Sequence, residues 1–200
     1  MNLNRDNRPS LEQIERELAR RNRISRRFKA LRITMTIFLV VIAIAVLAAT
    51  YFIPVLRVSG TSMEPELNQG DVVVVLKSDH MEQGDIVAFY YNNKILLKRI
   101  IAGEGDSVDI DSLGNVYVNG TLLKEDYAKY KGEGKCDITF PYQVPEDSWF
   151  VLGDNRSTST DSRTEAIGCV KKEDILGKVF VRIYPLNKVG IMSEWIMTAR

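Results

Sequence analysis

Residues 85–102 read DIVAFYYNNKILLKRIIA, and the reading of that stretch decides the fold. It holds two short runs rich in β-branched and aromatic residues, separated by Asn92-Asn93. Short apolar runs bounded by turn residues are read as strands. The same pattern continues outward in DVVVVL (71–76), NVYVNGTLL (115–123), WFVLGD (149–154) and GKVFVRIYPL (177–186). In the second of these Val116 and Val118 alternate before Asn119-Gly120, a strong type I′ hairpin signal. Lys124 to Pro145 is polar and irregular, and no convincing helical period follows Ile53. The expected fold is therefore mainly β: curled antiparallel sheets with a small inserted subdomain over about residues 107–145.

Ahead of these strands lies ITMTIFLVVIAIAVLAATYFI, residues 33–53, without a charged side chain. As a helix its 21 residues would be about 31 Å long, matching a hydrocarbon core of ~30 Å. A buried helix of a soluble protein does not need apolar residues on every face for this length. The run is also longer than a signal-peptide core and begins late. A retained single-pass transmembrane helix is expected. Before residue 33 the chain carries ten Lys or Arg against four Asp or Glu; after it, 17 against 22. The positive-inside bias then puts the basic leader, 1–32, in the cytoplasm and residues 54–200 outside. Within the leader, Ser10 and Gln13 form a capping-box signature, read either as the start of a short basic amphipathic helix or as part of a solvated, partly frayed leader. Cys136 and Cys169 fit either a disulfide or two separate thiols. Neither lies in a C-x-x-C spacing and His80 is the only histidine, so no metal site is expected.

Three stretches carry candidate chemistry. In RVSGTSMEPEL (57–67), Ser62 sits on a turn between Gly60 and Pro65. In KILLKRIIA (94–102), Lys98 and Arg99 interrupt a strand apolar on both faces. An ammonium buried there is costly unless it is paired or gives up its proton, and a lysine so desolvated can act as a general base. The alternative is a packed stem with its head in water. The third stretch, GDNRSTSTDSR (153–163), supplies carboxylates, guanidiniums and hydroxyls, read either as a solvated loop or as a scaffold orienting a lysine. His80 lies in the polar segment KSDHMEQGD, which disfavours Ser-His-Asp chemistry. A Ser-Lys pair needs no histidine.

Together these pieces resemble the type I signal peptidases. SGTSMEPEL, GDIVAF, KRIIAGEGDSV, NVYVNG and GDNRSTSTDSR occur in the family's order across about residues 33–186. The resemblance implies Ser62 as nucleophile and Lys98 as general base. It implies Ser159 hydrogen-bonded to the lysine amine, Asp161 and Arg163 bracing that loop, and Arg99 paired with Asp154. The substrate pocket would be floored by Val58, Met63, Leu67, Leu96 and Leu97. Gly60 stands where some members carry an oxyanion-stabilising serine, so the oxyanion hole would rest on backbone N–H groups. Glu104 and Glu66 stand where the family commonly has Pro and Thr.

The implied activity is removal of signal peptides from translocated preproteins, after small residues in an A-x-A-like pattern, at the outer face of the plasma membrane. No cofactor is expected. The implied partners are signal peptides, the lipid bilayer and, as a further candidate, the secretion translocon; no nucleic acid is expected. Competing readings are a self-cleaving Ser-Lys protease, which would need a DNA-binding domain in place of the apolar helix, and a sortase-like enzyme, whose Cys and His motifs are missing. An inactive membrane-tethered binding module of the same fold is a third, set against the presence of both Ser62 and Lys98.

Overall fold

The computed structural model describes residues 11–78, 80–128, 131 and 134–192. The chain divides into two compact units, Met1–Phe52 and Ile53–Arg200. In the first, α1 (Leu11–Phe52) is one continuous helix of 42 residues. Its stretch Arg26–Leu47 is long and apolar enough to cross a membrane, about 33 Å at 1.5 Å per residue. Large apolar side chains from Ile33 to Leu47 all point outward, exposed by 46 to 69%. Ser10, the cap expected from the sequence, lies outside the described residues.

The second unit is built from twelve strands: β1 (Val55–Arg57), β2 (Val72–Leu76), β3 (Ile86–Tyr91), β4 (Lys94–Ala102), β5 (Ser107–Ile110), β6 (Val116–Val118), β7 (Thr121–Leu122), β8 (Tyr142–Gln143), β9 (Ser148–Leu152), β10 (Val170–Lys171), β11 (Ile175–Tyr184) and β12 (Gly190–Ile191). All pairings are antiparallel. The larger sheet runs β1-β2-β11-β3-β4-β9-β10, with β12 added to β11; the smaller runs β7-β6-β5-β8. The stretch DIVAFYYNNKILLKRIIA forms the β3–β4 hairpin, in register from Ile86↔Arg99 to Tyr91↔Lys94. Asn92 and Asn93 both have positive φ, 43° and 62°, which Asn tolerates better than most residues because its short side chain bonds locally. Asn119 and Gly120, at φ 52° and 76°, make the β6–β7 turn expected from the sequence.

Strand alternation explains the core. In β2, Val73 and Val75 are fully buried between half-exposed neighbours. They join Val58, Met63, Leu67, Ile86, Ala88 and Val179 in one cluster. The central strands bury both faces over Ile86–Phe89 of β3, Lys98–Ala102 of β4 and Phe150–Leu152 of β9. The smaller sheet does not carry a core of its own. Its Val108, Val116 and Val118 pack with Ile101, Phe150 and Leu152 of the larger one.

Candidate active site

Ser62 sits in the connection from β1 to β2, whose neck is closed by Val58 N–H to Asp71 O (2.8 Å) and Gly70 N–H to Val58 O (2.9 Å). Val58, Met63 and Leu67 are buried and anchor the loop in the core. Gly60 has φ +92°, and a Cβ there would meet nothing within 4 Å. Glycine is required at that turn for its conformation rather than for space. The Ser62 carbonyl accepts the Asn155 N–H at 3.0 Å, tying the serine turn to the polar loop that follows β9.

Lys98 lies on β4 opposite Val87, only 3% exposed. Its Nζ is 2.8 Å from Ser62 Oγ. Burial pushes the amine down to about 8, partly opposed by the Asp161 and Asp154 carboxylates and reinforced by the Arg163 guanidinium. A neutral amine at 2.8 Å can take the serine proton; the same contact with an ammonium is a donor to Oγ. His80 is exposed, with its backbone bonded to Ser78 Oγ.

The polar loop is held by charged groups buried in the fold. Arg99 grips Asp154 through two bonds of 2.8 and 2.7 Å and donates to Gly84 O at 2.7 Å. Asp161 accepts Gly153 N–H at 3.0 Å and two Arg163 donors at 2.8 and 3.0 Å. Such paired, hydrogen-bonded charges tolerate burial where a lone one would not. Gly153 sits so close that a Cβ would fall 2.3 Å from Ser159 Oγ and 2.6 Å from Ser62 O. The bond expected between Ser159 and the lysine amine is not formed here. Ser159 Oγ is buried without a partner in the described structure, its backbone N–H held by Asn155 O at 3.1 Å and its hydroxyl lying against Gly153.

A cleft of about 120 Å³ opens beside Ser62 and Lys98, with Val58, Met63, Leu96 and Leu97 in its walls. Leu67 is not among the lining residues; it is fully buried in the core that supports the serine turn. Arg57, Ser59 and Ile95 line the cleft as well, and sequence reasoning did not assign them. It also missed Glu125, Tyr127 and Arg156 as a buried cluster. A Glu and a Tyr in a polar, irregular segment carry no periodic or motif signal that would have found them. Both cysteines are free thiols, and burial raises Cys169 to about 11. Among the described residues, no group of three or more His, Cys, Asp or Glu side chains could hold a metal ion.

Comparison with known proteins places this geometry in context. The family model described as "Signal peptidase, peptidase S26" matches residues 31–184. A probable signal peptidase I-2 of Synechocystis is 36% identical over 149 residues, covering 68% of this chain and 66% of that protein. Signal peptidase I of Bacillus amyloliquefaciens is 32% identical over 162 residues, covering 76% and 86%. Signal peptidase IB of Staphylococcus aureus is 34% identical over 151 residues, covering 66% and 78%. A crystal structure of a signal peptidase I from Enterococcus faecalis aligns with a TM-score of 0.43 at 32% identity, over 50% of this chain and 97% of that one.

Proposed function

This chain belongs to the signal peptidase family, peptidase S26, and from that premise we propose that it is a membrane-bound serine endopeptidase removing signal peptides from preproteins, with Ser62 as nucleophile and Lys98 as general base. The observation that carries the mechanism is the 2.8 Å contact between Ser62 Oγ and a buried amine whose pKa is about 8. At pH 7 about one molecule in ten then holds Lys98 neutral, against fewer than ~1 in 1000 for an ordinary lysine.

The neutral amine accepts the serine proton as Oγ attacks the scissile carbonyl. The oxyanion that forms is stabilised by backbone N–H groups of the serine turn, and a preorganised donor there lowers the barrier. The ammonium then returns its proton to the leaving amine. Water, deprotonated by the same lysine, hydrolyses the acyl-enzyme. On this reading the Ser159 hydroxyl, without a partner in the described structure, fixes the direction of the amine. Gly60 provides the turn, and the Arg99–Asp154 and Asp161–Arg163 pairs hold the loop.

The substrate enters as an extended segment. Strand β4 pairs with β3 along its length but with β9 only from Arg99 onward. The edge at Ile95–Leu97 therefore offers backbone groups to an added strand. A cleft of this size fits small side chains, consistent with A-x-A-like substrates. The chain divides into a cytoplasmic leader (1–32), a span (33–53) and an external catalytic domain (54–200). Ser62 follows the span by nine residues, at most roughly 30 Å of extended chain, a tether suited to work at the outer membrane surface, where a translocated signal peptide emerges. The decisive test is cleavage of an A-x-A preprotein by the detergent-solubilised full chain. Turnover that is lost in Ser62→Ala supports the reading; turnover unaffected by that change refutes it.

A further inference from the structure

The segment after β7 carries a buried charged cluster that the proposed mechanism has not used. Glu125, Tyr127 and Arg156 are each at most 5% exposed. Glu125 forms an ion pair with Arg156, whose Nη1 donates to Glu125 Oε2 at 3.4 Å and whose Nη2 approaches Oε1. The Tyr127 hydroxyl donates to Glu125 Oε1 at 2.9 Å, and its ring lies 4.1 Å from the Arg99 guanidinium carbon. Arg156 in turn donates to Gly153 O at 2.9 Å, while its own carbonyl accepts Arg163 at 2.8 Å. Stability alone does not account for this cluster, because a buried ion pair is often matched or bettered by apolar residues of similar volume. What it does hold is geometry: both ends of the loop carrying Asp154, Ser159 and Asp161, and the outer face of the arginine next to Lys98.

We infer that Glu125 and Tyr127 are positioning residues for the Ser62–Lys98 pair, acting through Arg156 and Arg99. The inference rests on the Ser-Lys reading above. Lys98 is faced by Ser62 on the serine turn and by Asp154, Asp161 and Arg163 on the polar loop. Glu125 is faced by Arg156, Tyr127 and Lys131, the last at 4.0 Å. Arg99 is faced by Asp154, Tyr127 and Glu66. Glu125 thus supplies the negative charge that balances Arg156, and Arg156 lies close enough to act on Asp161 and Asp154. With Glu125 neutral, Arg156 stands as an unbalanced positive charge acting on the Asp161 and Asp154 carboxylates that favour the Lys98 ammonium, and opposing them disfavours that form.

The test uses the detergent-solubilised full chain, an A-x-A peptide and pH profiles of kcat and kcat/KM. Glu125→Gln is expected to lower kcat by roughly 10- to 100-fold, the cost of a misplacement of about 1 Å, with KM little changed. Its rising pH limb should move to lower pH than in the wild type. A purely structural role would reduce the amount of active protein without moving the limb. Tyr127→Leu uncovers Arg99 but removes no charge, so kcat should fall while the limb stays in place. If Glu125→Gln does not fold, Glu125→Leu combined with Arg156→Met removes both charges together. That pair should show lowered kcat with a limb near the wild-type position. Wild-type kcat in the double variant, or an unmoved limb in a folded Glu125→Gln, overturns the inference. Ser62→Ala, measured alongside, separates the two ideas: activity surviving there defeats the Ser-Lys reading itself, not only the role of Glu125.

Discussion

At the scale of single residues, the site turns on one buried amine. With Lys98 at about 8, kcat/KM is expected to rise with pH along a limb near 8, measured by peptide cleavage between pH 6 and 10. A limb near 6.5 that disappears in His80→Ala would instead point to the histidine. Lys98→Arg should abolish turnover, because a guanidinium does not deprotonate near neutrality. The same burial has a thermodynamic consequence. The folded-state pKa lies below the unfolded one of 10.5, so between about 8 and 10.5 the folded chain binds fewer protons. Holding the ammonium in the fold therefore costs about 3 kcal/mol below pH 8, and that cost is released as the pH rises toward 10.5. Lys98→Met should stabilise the protein at pH 7 by up to that amount, with the gain shrinking above pH 8. Urea unfolding at pH 7 and pH 10 measures it; equal gains at both would contradict the assignment of the shift to this lysine.

At the scale of elements, the positions least tolerant of change are close backbone approaches. On β11, a Cβ at Gly177 would fall 2.3 Å from Leu76 O of the paired strand β2, beside the irregularity between Ile175 and Gly177. Gly177→Ala must push those strands apart and should destabilise the fold by about 1–3 kcal/mol, as overpacking does. A lowered midpoint in thermal unfolding would show it. In the polar loop, Gly153→Ala would drive a methyl group against both Ser159 and the Ser62 carbonyl. Turnover should fall by at least tenfold, more than any loss in the folded fraction seen by circular dichroism. An active Gly153→Ala enzyme would mean that the serine turn and the loop are not held together as described.

At the scale of the whole molecule, the proposed topology sets the basic leader inside and the β unit outside. Protease added to intact cells should degrade residues beyond Pro54 and spare a fragment containing the leader; the reverse pattern would contradict the orientation. The two units also differ in what stabilises them. The β unit buries its own core, whereas the apolar length of α1 is exposed along Ile33–Leu47 and, on the proposed topology, is covered by lipid or detergent. Deleting residues 1–53 should therefore raise solubility without detergent, as measured by sedimentation of the truncated chain.

The strands could be read from the chain because alternation, β-branching and Asn-Gly turns are local properties, and they set β3–β4 and the Asn119-Gly120 hairpin before any contact is known. The apolar length of Ile33–Ile53 was equally local. Ser62 and Lys98 stood out through their motifs, but the apolar neighbours on both faces of the strand fitted either a buried Lys98 or one whose head reaches water, and it is the packed structure that buries it. What tertiary structure alone decided is which distant groups meet. The 36-residue separation between Ser62 and Lys98 closes to 2.8 Å. Leu67 turns into the core rather than the cleft. Ser159 lies against Gly153 instead of on the amine. Glu125 and Tyr127 reach Arg156 and Arg99 from a segment with no pattern of its own. Periodicity specifies the face of an element, but the partner of a buried charge depends on where the chain returns, and that is a property of the packed sheets.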